Sequence, residues 1–312
     1  MPSNTIGSKK FWLVSLALIV ILAVAFAVEF MERPVSLVNN KVLIPIHVFL
    51  AGGRSQSVTV SGIRVHYDEF GPSGGPPVVL VHGLGGRAED WLNLSAYLVK
   101  AGYRVYTPDL PGYGDSEKPA SFSYSIPDEA AIVVGYLDAL GLKQVDLGGI
   151  SMGGWIVQRL AADHPDRVER LMLFDPAGIK EAPAWNTSLF TPTSPDEVNQ
   201  LNALLNPNPK PVPRYVAKDV VRLSNRNGWV IQRALQSMLS GNDITDDILP
   251  GLKMPMLIVW GTEDRVFPLE QGEKMHELAP QSQLAVIPGC GHLAAVQCTA
   301  QIGPDVVQFI EK

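Results

Sequence analysis

The chain has 312 residues, which suits one large α/β domain with an insertion or two small domains. Hydrophobic residues make up 46% and charged residues 18%, so the composition is that of a globular protein rather than a disordered one. The net charge is −6 and no run of basic residues occurs. These features argue against a nucleic-acid partner, because phosphate binding needs clustered Lys and Arg.

The N-terminal stretch FWLVSLALIVILAVAFAVEF, residues 11–30, is almost wholly apolar. About 20 helical residues reach roughly 30 Å, the thickness of a bilayer core, so residues 1–33 are predicted to be a membrane anchor or signal segment. Lys9 and Lys10 precede the stretch, which predicts a single-pass protein with its catalytic domain outside the cytoplasm, periplasmic in a bacterium. Cleavage after Ala25-Phe26-Ala27 would instead give a secreted protein, and both readings stay open.

Residues 34–55 are interpreted as a juxtamembrane connector, whose short apolar run at 42–51 is interrupted by Pro45. That run either lies on the membrane surface or packs on the domain. From residue 56 an antiparallel hairpin pattern is followed by alternating strand and helix patterns, which predict parallel strands joined by right-handed crossovers. Residues 56–179 and 251–312 are therefore assigned to one mostly parallel α/β core with helices on both faces.

Residues 180–250 break the alternation and predict a helical cap, or lid, over that core. Ser194-Pro195-Asp196-Glu197 has the residues of a capped helix start. Four prolines exclude a helix at 206–213. Two further helical stretches are expected, at Tyr215–Leu223 and Trp229–Leu239.

Gly149-Ile150-Ser151-Met152-Gly153 has the G-x-S-x-G pattern of a nucleophile elbow. It lies between a strand pattern and a helix pattern, where a sharp turn would expose the serine hydroxyl above the sheet edge. Such a turn brings the residues two before and two after the serine so close that a Cβ would clash, which explains Gly149 and Gly153. Ser151 is therefore the candidate nucleophile.

A serine hydroxyl needs a base and the base needs a carboxylate to orient it. Of six histidines, His292 in the loop PGCGHLAA follows the last strand pattern and is the candidate base. Asp175 and Asp264 both follow strand patterns and both satisfy the chain order serine, acid, histidine. Asp264 is favoured, and Asp175 is interpreted as shaping the entrance to the insertion.

The backbone N–H groups of Met152 and Leu84 are the candidate donors to an oxyanion, and they are the expected substrate-binding groups. His82, which precedes the loop GLGG, is expected to brace that loop by hydrogen bonding. Cys290 and Cys298 fit no zinc pattern and either form one disulfide or remain two thiols.

HGLGG, DLPGYGDS, GGISMGG, WGTED and GCGH, in this order, resemble the motifs of the α/β-hydrolase family from about Val58 to the C-terminus. A narrower similarity is to membrane-anchored monoacylglycerol lipases of α/β-hydrolase-domain type six, shared in the anchor, SMGG, DPAGI, TPTSPDEV and GCGH. That resemblance implies hydrolysis of monoacylglycerols or similar lipid esters by a capped enzyme without metal or organic cofactor. The chain departs from it in LAAVQC after the histidine, where an acidic residue and a proline are often found.

The sequence therefore predicts a membrane-associated serine ester hydrolase that forms an acyl-enzyme. The same catalytic residues would serve a hydrolase of small soluble esters, thioesters or carbon–carbon bonds. A non-catalytic ligand-binding protein of the same fold is the alternative outside enzymes. The natural substrate, the acyl length and the oligomeric state are not predicted.

Overall fold

The computed structural model describes residue 15 and residues 34–181 and 183–312. Of the predicted anchor or signal segment at 1–33, only Ser15 lies among the described residues. Among the helices of residues 34–181 and 183–312, none combines the length and the apolar character needed to cross a bilayer.

The predicted connector is helical over most of its length. Helix α1 spans Pro34–Val38, a π-helical turn spans Asn39–Leu43, and helix α2 spans Ile44–Leu50. Pro45 does not interrupt the chain's helical course, because it is the second residue of α2 and its missing N–H is tolerated in a first turn.

Eight strands form one sheet in the order β1-β2-β4-β3-β5-β6-β7-β8. Strands β1 and β2 form an antiparallel hairpin, β2 pairs antiparallel with β4, and all later pairings are parallel. The strands are β1 Arg54–Val60, β2 Ile63–Phe70, β3 Pro77–Val81, β4 Arg104–Pro108, β5 Val145–Ile150, β6 Val168–Phe174, β7 Met256–Gly261 and β8 Ser282–Ile287. The predicted hairpin and the mostly parallel sheet are confirmed.

Two hydrophobic cores lie on opposite faces of this sheet, because successive strand side chains point to opposite sides. In β3, Val79 and Val81 belong to one core and Val78 and Leu80 to the other. Helices α4 (Ile126–Ala139), α5 (Met152–Asp163) and α8 (Leu269–Leu278) cover the first face, and α3 (Leu92–Lys100) and α10 (Thr299–Ile310) cover the second. The predicted arrangement of helices on both faces is confirmed.

The segment between β6 and β7 is helical, as the interrupted pattern predicts. Helix α6 spans Pro195–Leu205, and the Ser194 hydroxyl caps it by accepting from the Glu197 N–H at 3.2 Å. Helix α7 spans Arg214–Met238 as one helix of 25 residues, so the prediction of two separate stretches is wrong. The weak helix formers Ser224 to Gly228 stay helical because buried residues on both sides, including Ala217 and Val230, hold the helix in place.

Shorter elements complete the described chain. Helix α9 spans Ala294–Gln297, between β8 and α10. Four 3₁₀ turns lie at Ala88–Trp91, Pro165–Arg167, Thr187–Phe190 and Leu249–Gly251.

Candidate active site

Ser151 lies at the carboxyl end of β5, immediately before the first residue of α5. Its backbone is left-handed, with φ 53° and ψ −121°, as the sharp turn of an elbow requires. A Cβ on Gly149 would collide with the carbonyl of Gly153, and a Cβ on Gly153 would collide with the carbonyls of Val81 and His82. The two glycines therefore occupy the positions at which the turn leaves no room for a side chain.

The structure brings Ser151, His292 and Asp264 together from the ends of three strands. His292 Nε2 lies 2.9 Å from Ser151 Oγ, and His292 Nδ1 lies 2.9 Å from Asp264 Oδ2. Because a carboxylate only accepts, the Nδ1–H donates to Asp264 and leaves Nε2 free to accept the serine proton. His292 is buried, and the Phe267 ring packs edge-on against it with the ring centroids 5.2 Å apart.

The second oxygen of Asp264 is held by the backbone of its own loop. Asp264 Oδ1 accepts from the N–H groups of Val266 at 2.7 Å and Phe267 at 2.9 Å. This arrangement fixes which carboxylate oxygen faces the imidazole.

The two residues that carry the candidate oxyanion donors both lie close to the serine, one in the chain and one across the cavity. Met152 is the first residue of α5, so its N–H is among those that have no partner within the helix. Leu84 belongs to the loop after β3 and lines the cavity at Ser151. In the same loop, a Cβ on Gly83 would lie 3.1 Å from the Ser151 Cβ. Their role as donors to an oxyanion remains a prediction.

His82 binds the loop that carries Leu84. Its Nδ1–H donates to the Gly83 carbonyl at 2.8 Å, and its Nε2 accepts from the Leu110 N–H at 3.0 Å. An imidazole that accepts through Nε2 is neutral. Complete burial lowers the pKa of His82, which also favours the neutral form. These contacts agree with the expected bracing role.

Asp175 does not shape the entrance to the insertion, in contrast to the interpretation from sequence. It is fully buried, with Oδ1 accepting from the Gly261 N–H at 2.8 Å and Oδ2 from the Ala294 N–H at 3.1 Å. Burial, and then the neighbouring charge of Asp264, raises the pKa of Asp175. The carboxylate thus connects the end of β7 with the loop that carries His292, a role that sequence reasoning missed because it depends on which loops close over β6.

Cys290 and Cys298 form a disulfide. The sequence left this pairing open, since two cysteines eight residues apart fit either state. The bridge encloses His292 and the short helix α9.

A cavity of about 230 Å³ lies directly at Ser151 and His292, and an adjoining cleft of about 360 Å³ extends from it beneath the helices α6 and α7. The two share six lining residues: Leu84, Gly85, Gly86, Arg87, Phe190 and Leu205. The cleft wall from α6 and α7 is mainly apolar and includes Leu201, Val220, Leu223, Val230 and Ile231. Throughout 34–181 and 183–312, no three His, Cys, Asp or Glu side chains come together as a metal site.

Comparisons with known proteins agree on the fold and differ in chemistry. The chain is 28% identical to a 2-hydroxy-6-oxononadienedioate/2-hydroxy-6-oxononatrienedioate hydrolase of Burkholderia vietnamiensis, over 86% of this chain and 98% of that protein. It is also 28% identical to Lipase 1 of Psychrobacter immobilis, over 80% of this chain and 81% of the lipase. None of these relatives, nor the solved structure below, is a monoacylglycerol lipase, so they support the family and not the narrower resemblance.

The crystal structure of a membrane phospholipase A, described as a bacterial virulence factor, superposes with a TM-score of 0.81. It is 27% identical and is matched over 97% of this chain and 98% of its own. The family model for the alpha/beta hydrolase fold matches residues 76–190 and 212–297, which include the loops of Leu84, Ser151, Asp264 and His292. The chain therefore belongs to the α/β-hydrolase family.

Proposed function

We propose that this protein is a serine hydrolase that cleaves the carboxylic ester bond of monoacylglycerols or similar lipid esters through an acyl-enzyme. Ser151 Oγ attacks the ester carbonyl while its proton moves to His292 Nε2. Asp264 holds the imidazole through Nδ1–H and stabilises its positive form. The imidazolium then protonates the departing alcohol, and a water activated by His292 releases the fatty acid.

The negative charge that develops on the carbonyl oxygen needs donors that already point at it. The N–H groups of Met152 and Leu84 are assigned this role, because Met152 begins the helix directly after Ser151 and Leu84 lines the cavity at Ser151. Loss of one such donor typically lowers turnover about 10²- to 10³-fold.

The proposal of a lipid substrate rests on the apolar cleft that continues from Ser151 under the cap. An acyl chain lying along Leu205 and Leu223 would bury its methylene groups at about 0.8 kcal/mol each. A small soluble ester would leave this cleft largely unused. Two of the similar proteins, Lipase 1 and the membrane phospholipase A, support the same substrate class.

Hydrolysis of a carbon–carbon bond is the second candidate, favoured by the similarity to the 2-hydroxy-6-oxononadienedioate hydrolase, whose substrate is a dicarboxylate. A dicarboxylate needs cations to replace its lost hydration. Among the described residues, the cations that line the cleft are Arg87 and Lys118. Arg87 Nε already pairs with Glu89 at 2.5 Å, and the Arg87 nitrogen without a partner, Nη2, is buried. Lys118 donates to the Gly114 carbonyl at 3.2 Å. We therefore rank this chemistry below the lipid ester.

We further propose that the enzyme works at a membrane surface outside the cytoplasm. The helices α1 and α2 and the turn between them carry an exposed apolar stripe, formed by Val38, Val42, Ile46, Phe49 and Leu50. This segment begins where the predicted anchor ends, and its Asn40 lines the cleft under the cap. A stripe of this kind suits the headgroup boundary of a bilayer. The cleft would then open beside the lipid that holds its substrate.

The test is a substrate panel on the detergent-solubilised full chain, with Ser151→Ala as the control. We expect long-chain monoacylglycerols to be cleaved with a higher kcat/KM than acetyl esters, and the variant to lose at least about 10³-fold in turnover. A preference for acetyl esters would contradict the lipid substrate, and a preference for 2-hydroxy-6-oxononadienedioate would favour the second candidate.

Labelling by a fluorophosphonate decides between an enzyme and a non-catalytic binding protein. The full chain should be labelled at Ser151 and the Ser151→Ala variant should not. Failure of the full chain to label would count against any serine hydrolase activity.

A further inference from the structure

The loop that carries His292 has little rigidity of its own. It runs from the end of β8 to the start of α9, and its sequence Pro288-Gly289-Cys290-Gly291-His292 places a glycine on each side of Cys290. Gly289 is left-handed, with φ 74°, a conformation that glycine adopts without strain. The free chain would therefore sample many positions of the imidazole.

The disulfide ties this loop to a rigid element. Cys298 immediately precedes α10, and its carbonyl accepts from the N–H groups of Gln301 at 2.8 Å and Ile302 at 3.2 Å. Ile302 and Val306 anchor α10 to the second face of the sheet, where both are fully buried. The bond from Cys298 thus fixes Cys290 relative to the sheet.

At its other end the disulfide reaches the junction between the base loop and the acid loop. The Cys290 carbonyl accepts from the Glu263 N–H at 2.8 Å, and Glu263 directly precedes Asp264. His292 follows Cys290 by two residues. Any shift of Cys290 would therefore move the imidazole and the carboxylate relative to each other, and both relative to Ser151.

We propose that Cys290 and Cys298 are positioning residues for His292, so that the hydrolase reaches full turnover only with the disulfide formed. The proposal rests on the proposed function of Ser151, His292 and Asp264. Disulfides persist in oxidising compartments and are reduced in the cytosol. The chain would thus gain its full activity only after it leaves the cytosol.

The bond can be opened from one side. Cys290 is fully buried and Cys298 is half-buried, so an external dithiol reaches the sulfur of Cys298 first. A thiolate of the dithiol attacks the Cys298 sulfur, and Cys290 leaves as a thiolate. The second thiol of the dithiol then attacks the mixed disulfide and releases Cys298. Both cysteines end as thiols and the reagent ends as a cyclic disulfide.

Reduction should lower kcat and leave KM nearly unchanged. The cleft proposed to hold the acyl chain is lined mainly by residues between β6 and β7, whereas reduction would change the distance between His292 Nε2 and Ser151 Oγ. Displacement of a reacting group by about 1 Å can lower the rate about 10²-fold. Because the Ala294–Asp175 hydrogen bond still restrains the loop, we expect a fall in kcat of roughly 10-fold to 10²-fold.

The experiment compares the oxidised full chain, the chain reduced with dithiothreitol until two thiols titrate, and the double variant C290A/C298A. For each form we would measure kcat and KM on the best ester, the rate of fluorophosphonate labelling, and the fraction of chains that can be labelled. The reduced chain and the double variant should show the same low kcat and slow labelling. Reoxidation should restore the reduced wild-type chain, and dithiothreitol should not affect the double variant.

Unchanged kcat and labelling rate after full reduction would overturn the proposal. So would a loss confined to the fraction of labelled chains, since the disulfide would then serve only the stability of the fold. The labelling rate needs no knowledge of the substrate. Redox-dependent labelling without ester turnover would therefore contradict the ester substrate and still support the role of the disulfide.

Discussion

Ser151 occupies a backbone conformation that residues other than glycine rarely adopt. This conformation destabilises the fold by a free energy on the order of 1–3 kcal/mol. The surrounding chain holds it there. The Ser151 N–H donates to the Phe174 carbonyl at 3.1 Å, and its carbonyl accepts from the Ala177 N–H at 3.0 Å. These bonds come from β6 and the segment after it. The strained turn therefore depends on the neighbouring strand as much as on its own glycines.

Asp264 and Asp175 can be distinguished by their asparagine variants. In Asp264→Asn, the N–H groups of Val266 and Phe267 keep the side-chain oxygen, so the NH₂ group faces His292 Nδ1. The imidazole must then accept at Nδ1 and carry its proton on Nε2, which prevents it from accepting the Ser151 proton. We expect kcat to fall on the order of 10³- to 10⁴-fold, measured per labelled active site.

Asp175→Asn should have a different effect. Its two oxygens bind backbone N–H groups of Gly261 and Ala294, and an amide can accept only one of these bonds. The free energy of unfolding should fall by about 1–3 kcal/mol in urea titrations, with less than a tenfold change in kcat. If Asp175→Asn lost as much turnover as Asp264→Asn, the two assignments would have to be exchanged.

Local spacing made several of these residues predictable. Ser151, Gly149 and Gly153 belong to one turn of chain, so a single motif specifies all three. Asp264 and His292 each follow a strand pattern, and the carboxyl ends of parallel strands meet at one edge of the sheet. The contacts of Asp175 could not be predicted, because its partners are backbone groups of two loops that are distant in sequence.

At the scale of elements, the turn after β4 connects three parts of the chain through one carboxylate. Asp109 accepts from the Ala88 N–H at 2.7 Å, the Asp115 N–H at 2.8 Å and the His66 ring at 2.9 Å. These groups belong to the segment after β3, to the turn itself and to β2. Asp109 therefore fixes the turn of residues 109–116, whose Leu110 N–H binds His82.

Asp109 should make part of the stability depend on pH. Burial alone would raise the pKa of Asp109, but the hydrogen bond from the His66 ring, then the charges of the nearby His82 and His66 rings, and last the hydrogen bond from the Asp115 N–H lower it from 3.8 to about 2. A depressed carboxyl pKa stabilises the fold above the unfolded value and loses that contribution as the pH falls towards 2. The shift corresponds to about 2 kcal/mol, of which about 1 kcal/mol is lost between pH 5 and pH 3.

The measurement is the free energy of unfolding in urea for wild type and Asp109→Asn at both pH values. The difference between the two proteins should shrink by about 1 kcal/mol on going from pH 5 to pH 3. The control is Asp163→Asn, which removes an exposed partner of Arg159 on α5. The difference in the free energy of unfolding between Asp163→Asn and wild type should change little from pH 5 to pH 3. A constant difference for Asp109→Asn would show that its carboxyl pKa is not depressed.

Prediction of the elements succeeded where periodicity was strong and failed where packing decided. The strands buried on both faces gave unbroken apolar runs, and Ser194 marked the start of α6. Helix α7 continues through Ser224 to Gly228, whose propensity favours a break, because the flanking turns are packed on the core. The helices of 34–50 were not predicted, because a proline usually indicates an interruption. The sequence alone does not show that Pro45 lies in the first turn of α2.

At the scale of the whole molecule, the N-terminal helices are attached to the cap as well as to the sheet. The Ser36 N–H donates to Asp219 of α7 at 2.6 Å, and Lys41 forms an ion pair of 3.1 Å with Asp115. Val48 is buried against the core on the second sheet face. The exposed apolar stripe is therefore held in a fixed relation to the cleft under the cap.

This relation predicts that the stripe acts only on substrates presented by a membrane. Phe49 and Leu50, at the end of α2, are 77% and 74% exposed. In the full chain reconstituted in lipid vesicles, F49S/L50S should lower turnover of a vesicle-embedded lipid ester several-fold, because less apolar area enters the headgroup boundary. Turnover of a soluble acetyl ester should stay the same.

Val286→Ser removes a 39% exposed side chain from β8, at the opposite sheet edge from β1, and should change neither rate. An equal loss on the soluble and the embedded ester would mean that the substitutions disturb the catalytic domain, and the role of the stripe would be lost.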